Sequence, residues 1–230
     1  MPSTWLSSID SSHGGKSALN IPPFKNQIGT IYVAEKVYLI KDLLFSQPEF
    51  LADDAMGELW KIALIEDKSL WNDLSQSNQS TKEILWRFLE RAIEAKWKVI
   101  LQDPYEKNKR RQVLNLGHTL AHIIEGIHGF NHGESVALGL EFSLNFSSER
   151  DYISDEFRDI ILSVMKKQGF ESIRKPIDEG IFLSSLLNDK KRTNSGEIIF
   201  IFLEGLGAIK REALKTTEII EFARREGWIQ

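Results

Sequence analysis

Apolar residues recur at helical spacing through most of the chain after Pro48, and this periodicity limits the fold more than any other feature. The helices that it predicts cover residues 50–65, 82–102, 112–127, 134–149, 155–168, 180–187 and 216–226. Asp155 and Thr216 are predicted N-caps of their helices. The apolar strand EIIFIFL from Glu197, a turn at 205–207 and a short strand toward Ile209 predict a hairpin. We therefore expect a mainly α-helical chain with a C-terminal β-hairpin.

Before Pro48 the chain has a different character, because glycine and proline are frequent and short β-prone pieces occur at 29–33 and 37–40. This part reads as a small α/β piece that is too short to fold alone. We therefore divide the chain into an α/β segment, 1–47, and a helical domain, 48–230. The strands of the first segment are expected to expose an edge that needs a partner, which would be a further polypeptide or a second copy.

Composition excludes several classes of protein. There are no cysteines among the 230 residues, so a disulfide scaffold, a thiolate zinc cluster and a cysteine nucleophile are excluded. The net charge of −4 predicts no nucleic acid and no anionic membrane surface as a partner. The longest apolar run, 198–203, is far shorter than the roughly 18 residues of a spanning helix, and the first residues lack a secretory pattern. We expect a cytoplasmic protein.

The most informative segment runs from Arg111 to Ala137. If 111–127 forms one helix, a set of polar residues lies within an arc of about 80° on it. These residues are Arg111, Asn115, His118, His122 and Glu125. The remaining positions of that helix are mostly apolar, so this stripe needs polar partners, which an ion or an anionic ligand would supply. The alternative is that the histidines are core residues satisfied by hydrogen bonds.

Four of the five histidines fall within fifteen residues, which indicates a metal site. His118 and His122, four residues apart on a helix, can reach one ion, and His132 is equally able to supply a ligand after the loop. Gly133 beside it allows a close backbone approach, whereas His128 reads as a loop residue. Because no thiolate is available, imidazole and carboxylate would hold the metal, and zinc is the metal that we expect.

Glu58 is the candidate carboxylate. It lies in the middle of a predicted helix three residues before Lys61, and a surface salt bridge between them is the alternative that spacing leaves open. Near the N-terminus, residues 10–20 and 25–29 are polar and glycine-rich, which suits contacts with phosphate or carboxylate oxygens. The GGKS stretch is not a P-loop, because Asp10 stands where that motif needs glycine, and the sequence contains no GxGxxG turn.

Several stretches together resemble the 3-dehydroquinate synthase family. They are DSSHGGKSALN, KNQIG, GELWK, EAKWKVILQDPYE, LNLGHTLAHIIE, HGESVALG and the DKK before GEIIFIFL. The resemblance implies a carbon–oxygen lyase of the shikimate pathway of aromatic amino acid biosynthesis. This enzyme converts a seven-carbon sugar-acid phosphate into 3-dehydroquinate with loss of phosphate, using a bound NAD and one divalent metal, zinc or cobalt. It also implies the family's helical metal-binding domain.

The same resemblance implies roles for individual residues of this chain. The implied metal ligands are Glu58, His118 and His132. The implied catalytic residues are Lys61, Lys96, Arg111, Asn115 and His122. Substrate binding is implied for Asn26, Glu106, Lys190 and Lys191, and the nucleotide side for Asp10, Lys16, Lys25 and Ser46.

The sequence also departs from the family pattern. His13 and Ala121 replace smaller residues, Leu51 replaces a glutamate, and one extra residue lets Arg110 compete for the role of Arg111. Family members carry a nucleotide-binding domain before the point where this chain begins, so 1–47 would be its remnant. We therefore expect a separate N-terminal nucleotide-binding polypeptide, self-association, and no turnover by this chain alone. The alternatives are a related sugar-phosphate cyclase, a metal-dependent polyol dehydrogenase or a non-catalytic metal-binding remnant.

Overall fold

The computed structural model describes residues 1–21, 24–66, 68–187 and 197–230, with the side chains of 20–27 outside the description. The α-helices in these ranges are α1 (Lys41–Phe45), α2 (Glu49–Glu66), α3 (Lys68–Ser75), α4 (Thr81–Gln102), α5 (His118–His128), α6 (His132–Glu149), α7 (Asp155–Lys167), α8 (Glu179–Leu187) and α9 (Thr216–Arg225). The strands are β1 (Lys16–Ile21), β2 (Phe24–Ile31), β3 (Ile198–Gly205) and β4 (Ala208–Leu214). No helix of this description is long and apolar enough to cross a membrane.

Six of the predicted helices are confirmed to within two residues at each end, as α2, α4, α6, α7, α8 and α9. The two predicted N-caps are wrong by one position. Ser154 caps α7, because its hydroxyl accepts a hydrogen bond from the Phe157 amide at 3.2 Å. Lys215 precedes α9, and its amide donates to the Glu218 carboxylate at 2.9 Å. The short helices α1 and α3 were not predicted.

The predicted helix at 112–127 is wrong, because it is interrupted. Arg110–Asn115 forms a 3₁₀ segment, Gly117 has a left-handed φ of 79°, and α5 begins only at His118. The break has a long-range cause: a Cβ on Gly139 of α6 would lie 1.9 Å from the Gly117 carbonyl oxygen, so the two backbones touch there. The polar stripe drawn on one continuous helix is therefore also wrong.

Two helices, α2 and α6, lie at the centre of the fold. Helix α2 packs on α4 and α6, and α6 packs in addition on α5 and β3. Both are buried around most of their circumference, as expected for helices with neighbours on several sides. On α6, Phe142 and Phe146 contact aromatic rings of β3 and α9, including Phe222, which stacks on Phe146 at 4.1 Å between ring centroids.

The strands form two separate antiparallel hairpins. In β1–β2, Lys16 pairs with Ile31 and Leu19 with Ile28, so the strand predicted at 29–33 is displaced and the strand predicted at 37–40 is wrong. A β-prone segment needs a partner strand, and 37–40 pairs with none in the described part of the chain. The predicted hairpin β3–β4 is confirmed and is longer than expected. The domain boundary after residue 47 stays a prediction.

Candidate metal centre

Three helices each bring one potential metal ligand to the same point. Glu58 comes from α2, and His118 and His132 are the first residues of α5 and α6. One ligand atom of each lies within 4.8 Å of the others. Glu58 Oε1 is 3.6 Å from His118 Nε2 and 3.2 Å from His132 Nε2. Two imidazole nitrogens and a carboxylate oxygen thus converge as they would around a single ion.

The other nitrogen of each histidine ring faces an acceptor. His118 Nδ1 lies 3.1 Å from the Leu116 carbonyl oxygen, which can only accept, so Nδ1 donates there and Nε2 is the nitrogen that faces Glu58. His132 Nδ1 lies 3.6 Å from Glu125 Oε2. Metal-binding histidines use such carbonyl and carboxylate partners to hold the ring orientation. Both rings are therefore oriented with Nε2 toward Glu58.

Glycines next to the three ligands allow the helices to approach this closely. A Cβ on Gly57 would lie 2.1 Å from the Gly133 carbonyl oxygen, which means that α2 and α6 touch through their backbones beside Glu58. The contact between Gly117 and Gly139 does the same for α5 and α6. No side chain separates the helices at these points. The ligand positions therefore follow from backbone contacts.

The charges at the centre favour a cation. Burial alone would raise the pKa of Glu58, but Lys61 and His132 outweigh it and hold this pKa well below its usual range. Burial lowers the pKa of His132, whereas the carboxylates of Glu125 and Glu58 raise it to about 10. A proton thus sits on His132 between two carboxylates, and a divalent ion can replace it there. The ion pair of Glu58 with Lys61 is buried, so the surface salt bridge considered as an alternative is excluded.

Two further cations, Lys96 and Arg111, are also buried. Lys96 Nζ donates to the Asp10 carboxylate at 2.6 Å and to the Asp10 carbonyl oxygen at 2.5 Å. Burial lowers the pKa of Lys96, and the Asp10 carboxylate partly offsets that effect. Arg111 is buried too, and it donates to the carbonyl oxygens of Gly14, at 3.0 Å, and Pro104.

One carboxylate, that of Glu106, connects the predicted residues Lys16 and Arg111. Glu106 lies 3.8 Å from the Arg111 guanidinium and forms an ion pair with Lys16. Arg110, the competitor for the role of Arg111, is exposed, whereas Arg111 is buried. The structure thus brings Asp10 into contact with Lys96 and Glu106 close to Arg111, while Lys16 pairs with Glu106.

Other predicted residues are less buried or lie outside the description. His122 is exposed, and its ring packs edge-on against His118 at 5.4 Å between centroids. Asn115 is half-buried at the end of the 3₁₀ segment. Ser46 is exposed after α1, and its hydroxyl donates to the Leu43 carbonyl oxygen. The predicted side chains of Lys25, Asn26, Lys190 and Lys191 lie outside the described residues.

Sequence reasoning missed one residue of this region, Asp54. Its Oδ1 accepts a hydrogen bond of 2.6 Å from the Gly133 amide, directly after His132. In the sequence, the only indication of a role for Asp54 is its position one helical turn before the predicted metal ligand Glu58, and that indication is weak.

Two family models match the chain. A model described as the C-terminal domain of 3-dehydroquinate synthase matches residues 55–192, and one described as the N-terminal domain matches residues 1–52. Among curated relatives, the 3-dehydroquinate synthase of Methylacidiphilum infernorum is 31% identical over 229 residues, covering 98% of this chain and 63% of the relative. That of Campylobacter fetus is 33% identical, covering 90% of this chain and 60% of the relative. The chain thus spans less than two thirds of the length of these relatives.

Solved structures share the fold. A 2-deoxy-scyllo-inosose synthase complexed with carbaglucose-6-phosphate, NAD⁺ and Co²⁺ superposes with a TM-score of 0.84 at 26% identity, covering 99% of this chain and 66% of that chain. The 2-epi-5-epi-valiolone synthase of Streptomyces hygroscopicus, with NAD⁺ and Zn²⁺ bound, gives a TM-score of 0.84 at 21% identity, covering 97% and 65%. The predicted fold class is confirmed.

Proposed function

The chain belongs to the 3-dehydroquinate synthase family, and from this membership we propose that it carries the metal- and substrate-binding part of a 3-dehydroquinate synthase. The reaction is the cyclisation of a seven-carbon sugar-acid phosphate with loss of phosphate, which makes the enzyme a carbon–oxygen lyase. The observation that carries the proposal is the convergence of Glu58, His118 and His132 within 4.8 Å, in a chain that the family's C-terminal model matches.

The proposed metal is zinc or cobalt, held by these three side chains. The donor set fits either ion, because imidazole and carboxylate are ligands that both accept, and three protein ligands leave positions open for a substrate. The two related structures that bind Co²⁺ and Zn²⁺ support this assignment. Such an ion polarises a substrate hydroxyl and orients it for oxidation.

Buried cations define the proposed substrate site. Lys61, Lys96 and Arg111 are all buried, and a phosphate or carboxylate group would compensate the cost of desolvating them. The planar guanidinium of Arg111 can bind such a group in bidentate fashion. Arg111 is buried and Arg110 is exposed, which supports Arg111 rather than Arg110 in this role. We propose that His122 donates or accepts a proton of the substrate, and that Asn115 forms hydrogen bonds with it during catalysis. For binding of the substrate we propose Asn26, Glu106, Lys190 and Lys191.

The proposed nicotinamide cofactor is NAD, which both related structures contain. The residues that we propose for the NAD-binding side of the site are Asp10, Lys16, Lys25 and Ser46. The sequence has no GxGxxG turn for the pyrophosphate. We propose that these 230 residues by themselves therefore show no turnover with NAD and substrate.

A related sugar-phosphate cyclase is the second candidate function. Its support is the similarity to the 2-deoxy-scyllo-inosose synthase, at 26% identity over 99% of this chain. The two candidates differ in the ligand that they imply, because a seven-carbon sugar acid carries a carboxylate that the carbaglucose-6-phosphate of that structure lacks. A phosphonate analogue with a carboxylate and one without it separate them by their relative affinity.

The first experiment is elemental analysis of the purified chain and of Glu58→Ala, His118→Ala and His132→Ala. We expect one divalent ion per parent chain and loss of most of it in each variant, because the remaining ligands are too few. The matched control is His128→Ala. This histidine ends α5, and its Nε2 lies 3.0 Å from the Lys175 carbonyl oxygen, so full metal content is expected. Full metal content in His118→Ala would contradict the assignment.

The second experiment is calorimetric titration of the metal-loaded chain with the carboxylate-bearing phosphonate analogue. Arg111→Lys is expected to weaken binding and to leave metal content unchanged, because lysine cannot replace the bidentate guanidinium. Arg110→Lys is the matched control and is expected to bind as the parent does. If the Arg111→Lys variant and the parent bound the analogue with equal affinity, the proposed contact of Arg111 with its phosphonate or carboxylate would be wrong.

A further inference from the structure

The first turn of α6 is capped from a neighbouring helix. Asn131 precedes the helix with extended backbone angles, and its side chain makes no capping hydrogen bond. The Gly133 amide instead donates to Asp54 Oδ1 at 2.6 Å, and Asp54 belongs to α2. A carboxylate at this place satisfies an amide that the helix itself leaves unpaired, and it interacts favourably with the helix dipole.

The same two helices carry two of the metal ligands at this contact. Asp54 lies one turn before Glu58 on α2, and residues four apart share a helix face. Gly133 directly follows His132 on α6. A Cβ at Gly133 would lie 1.4 Å from the Asp54 carbonyl oxygen, so the first turn of α6 lies directly against the backbone of α2. Asp54 thus binds the backbone next to His132 while Glu58 faces the ring of His132.

We propose that Asp54 is a positioning residue of the metal centre, which fixes the backbone of His132 at the distance from Glu58 that a bound ion requires. This inference rests on the proposed function, because it concerns the same metal site. The 3.2 Å between His132 Nε2 and Glu58 Oε1 depends on where the first turn of α6 lies. The hydrogen bond to Asp54 joins that turn to the helix that carries Glu58.

Loss of this hydrogen bond lowers metal affinity in a specific way. Without a cap, the first turn of α6 frays, and His132 is the first residue of that turn. The ion must then order the turn as it binds. Partners that orient metal ligands typically change affinity by about 10–100-fold, so a loss in this range is expected for Asp54→Ala. A merely structural cap would lower the unfolding temperature and leave the affinity of the folded protein unchanged.

The test is titration of the full chain with Co²⁺, followed by the visible absorption of the bound ion, well below the unfolding temperature of every variant. Asp54→Ala is expected to bind about 10–100-fold more weakly with an altered spectrum. Asp54→Asn keeps an acceptor oxygen and is expected to recover part of the affinity. The matched controls are Asp53→Ala and Asp53→Asn. Asp53 is exposed and accepts from the Thr81 hydroxyl at 2.9 Å, so both controls are expected to bind as the parent does.

Parent affinity and an unchanged spectrum in Asp54→Ala would overturn the positioning role, as would an equal loss in Asp53→Ala. If Asp54→Ala does not fold, the comparison of Asp54→Asn with Asp53→Asn decides, and a weaker Co²⁺ complex of the former alone supports the role. If the parent binds no Co²⁺, the proposed metal site itself fails, and the positioning role fails with it. Failure of the metal site differs from failure of the positioning role alone, because in the latter case the parent chain still binds Co²⁺.

Discussion

The two hairpins of this chain have the same topology and opposite surroundings. Both are antiparallel pairs with one irregularity in register, between Leu19 and Ile21 in the first and between Leu203 and Gly205 in the second. In β3 the side chains from Ile198 to Leu203 are almost all buried, and the strand packs on α6. In β1–β2 every described side chain is exposed, including Leu19 at 70% and Ile28 at 61% of their surface. Strand pairing alone therefore does not determine whether a hairpin joins the core.

The difference follows from the two sequences. The run IIFIFL in β3 offers apolar side chains on both faces, and Phe200 and Phe202 lie 5.3 and 5.2 Å from Phe146 of α6 between ring centroids. The strands KSALNI and FKNQIGTI mix polar and apolar residues. An isolated two-stranded hairpin is marginally stable in water. We therefore expect β3–β4 to be stabilised by the helical core, and β1–β2 to depend on a partner.

The largest effect is expected from Phe200→Ala in β3. This ring is fully buried between Phe142 and Phe146, so its removal leaves a cavity in the core. The expected loss is about 3–5 kcal/mol in the free energy of unfolding, measured by urea denaturation. A loss below about 1 kcal/mol would mean that β3 contributes as little as the exposed hairpin does.

Gly29→Ala in β2 is expected to act only locally. A Cβ at this position would lie 2.0 Å from the Ser17 carbonyl oxygen of the paired strand, so the strands must separate. Hydrogen exchange of the β1–β2 amides is expected to become at least about tenfold faster, with less than about 1 kcal/mol lost in the free energy of global unfolding. A global loss as large as that of Phe200→Ala would place this hairpin in the cooperative core.

Ile28→Thr is expected to have the smallest effect. The side chain is exposed, and threonine keeps the β-branched shape that strands favour, so the free energy of unfolding should change by at most about 0.5 kcal/mol. Measurement over a range of protein concentrations sharpens the comparison. A destabilisation that grows with concentration would indicate that a second copy covers this face. A loss above about 1 kcal/mol at the lowest concentration would contradict the exposed environment.

Periodicity predicted the helices well where local and long-range preferences agree. The bounds of α2 were expected at 50–65 and are Glu49–Glu66, because its apolar pattern is continuous and the contact of Gly57 with Gly133 leaves the helix unbroken. The pattern at 112–127 is equally continuous, yet the helix breaks at Gly117. That break depends on the backbone contact with Gly139 of α6, which no local pattern contains.

The metal centre was predictable in its residue types and less so in its geometry. Spacing alone left Glu58 between a metal ligand and a surface ion pair, and only the family resemblance favoured the ligand. The burial of its ion pair with Lys61 was visible only in the structure. Asp54 was missed because its partner, the Gly133 amide, lies 79 residues away in sequence. A cap that crosses between helices leaves no local signature.

The glycine contacts beside the metal ligands have a consequence for how this fold can diverge. Where α2 meets α6 at Gly57 and Gly133, and where α6 meets the start of α5 at Gly139, peptide geometry sets the interhelical distance. Side-chain volumes set it elsewhere in the core. The core can therefore exchange large residues for small ones while the spacing of the ligands stays constant. Conversely, a single added methyl group at one of these glycines would displace the ligands more than the loss of a whole aromatic ring farther away.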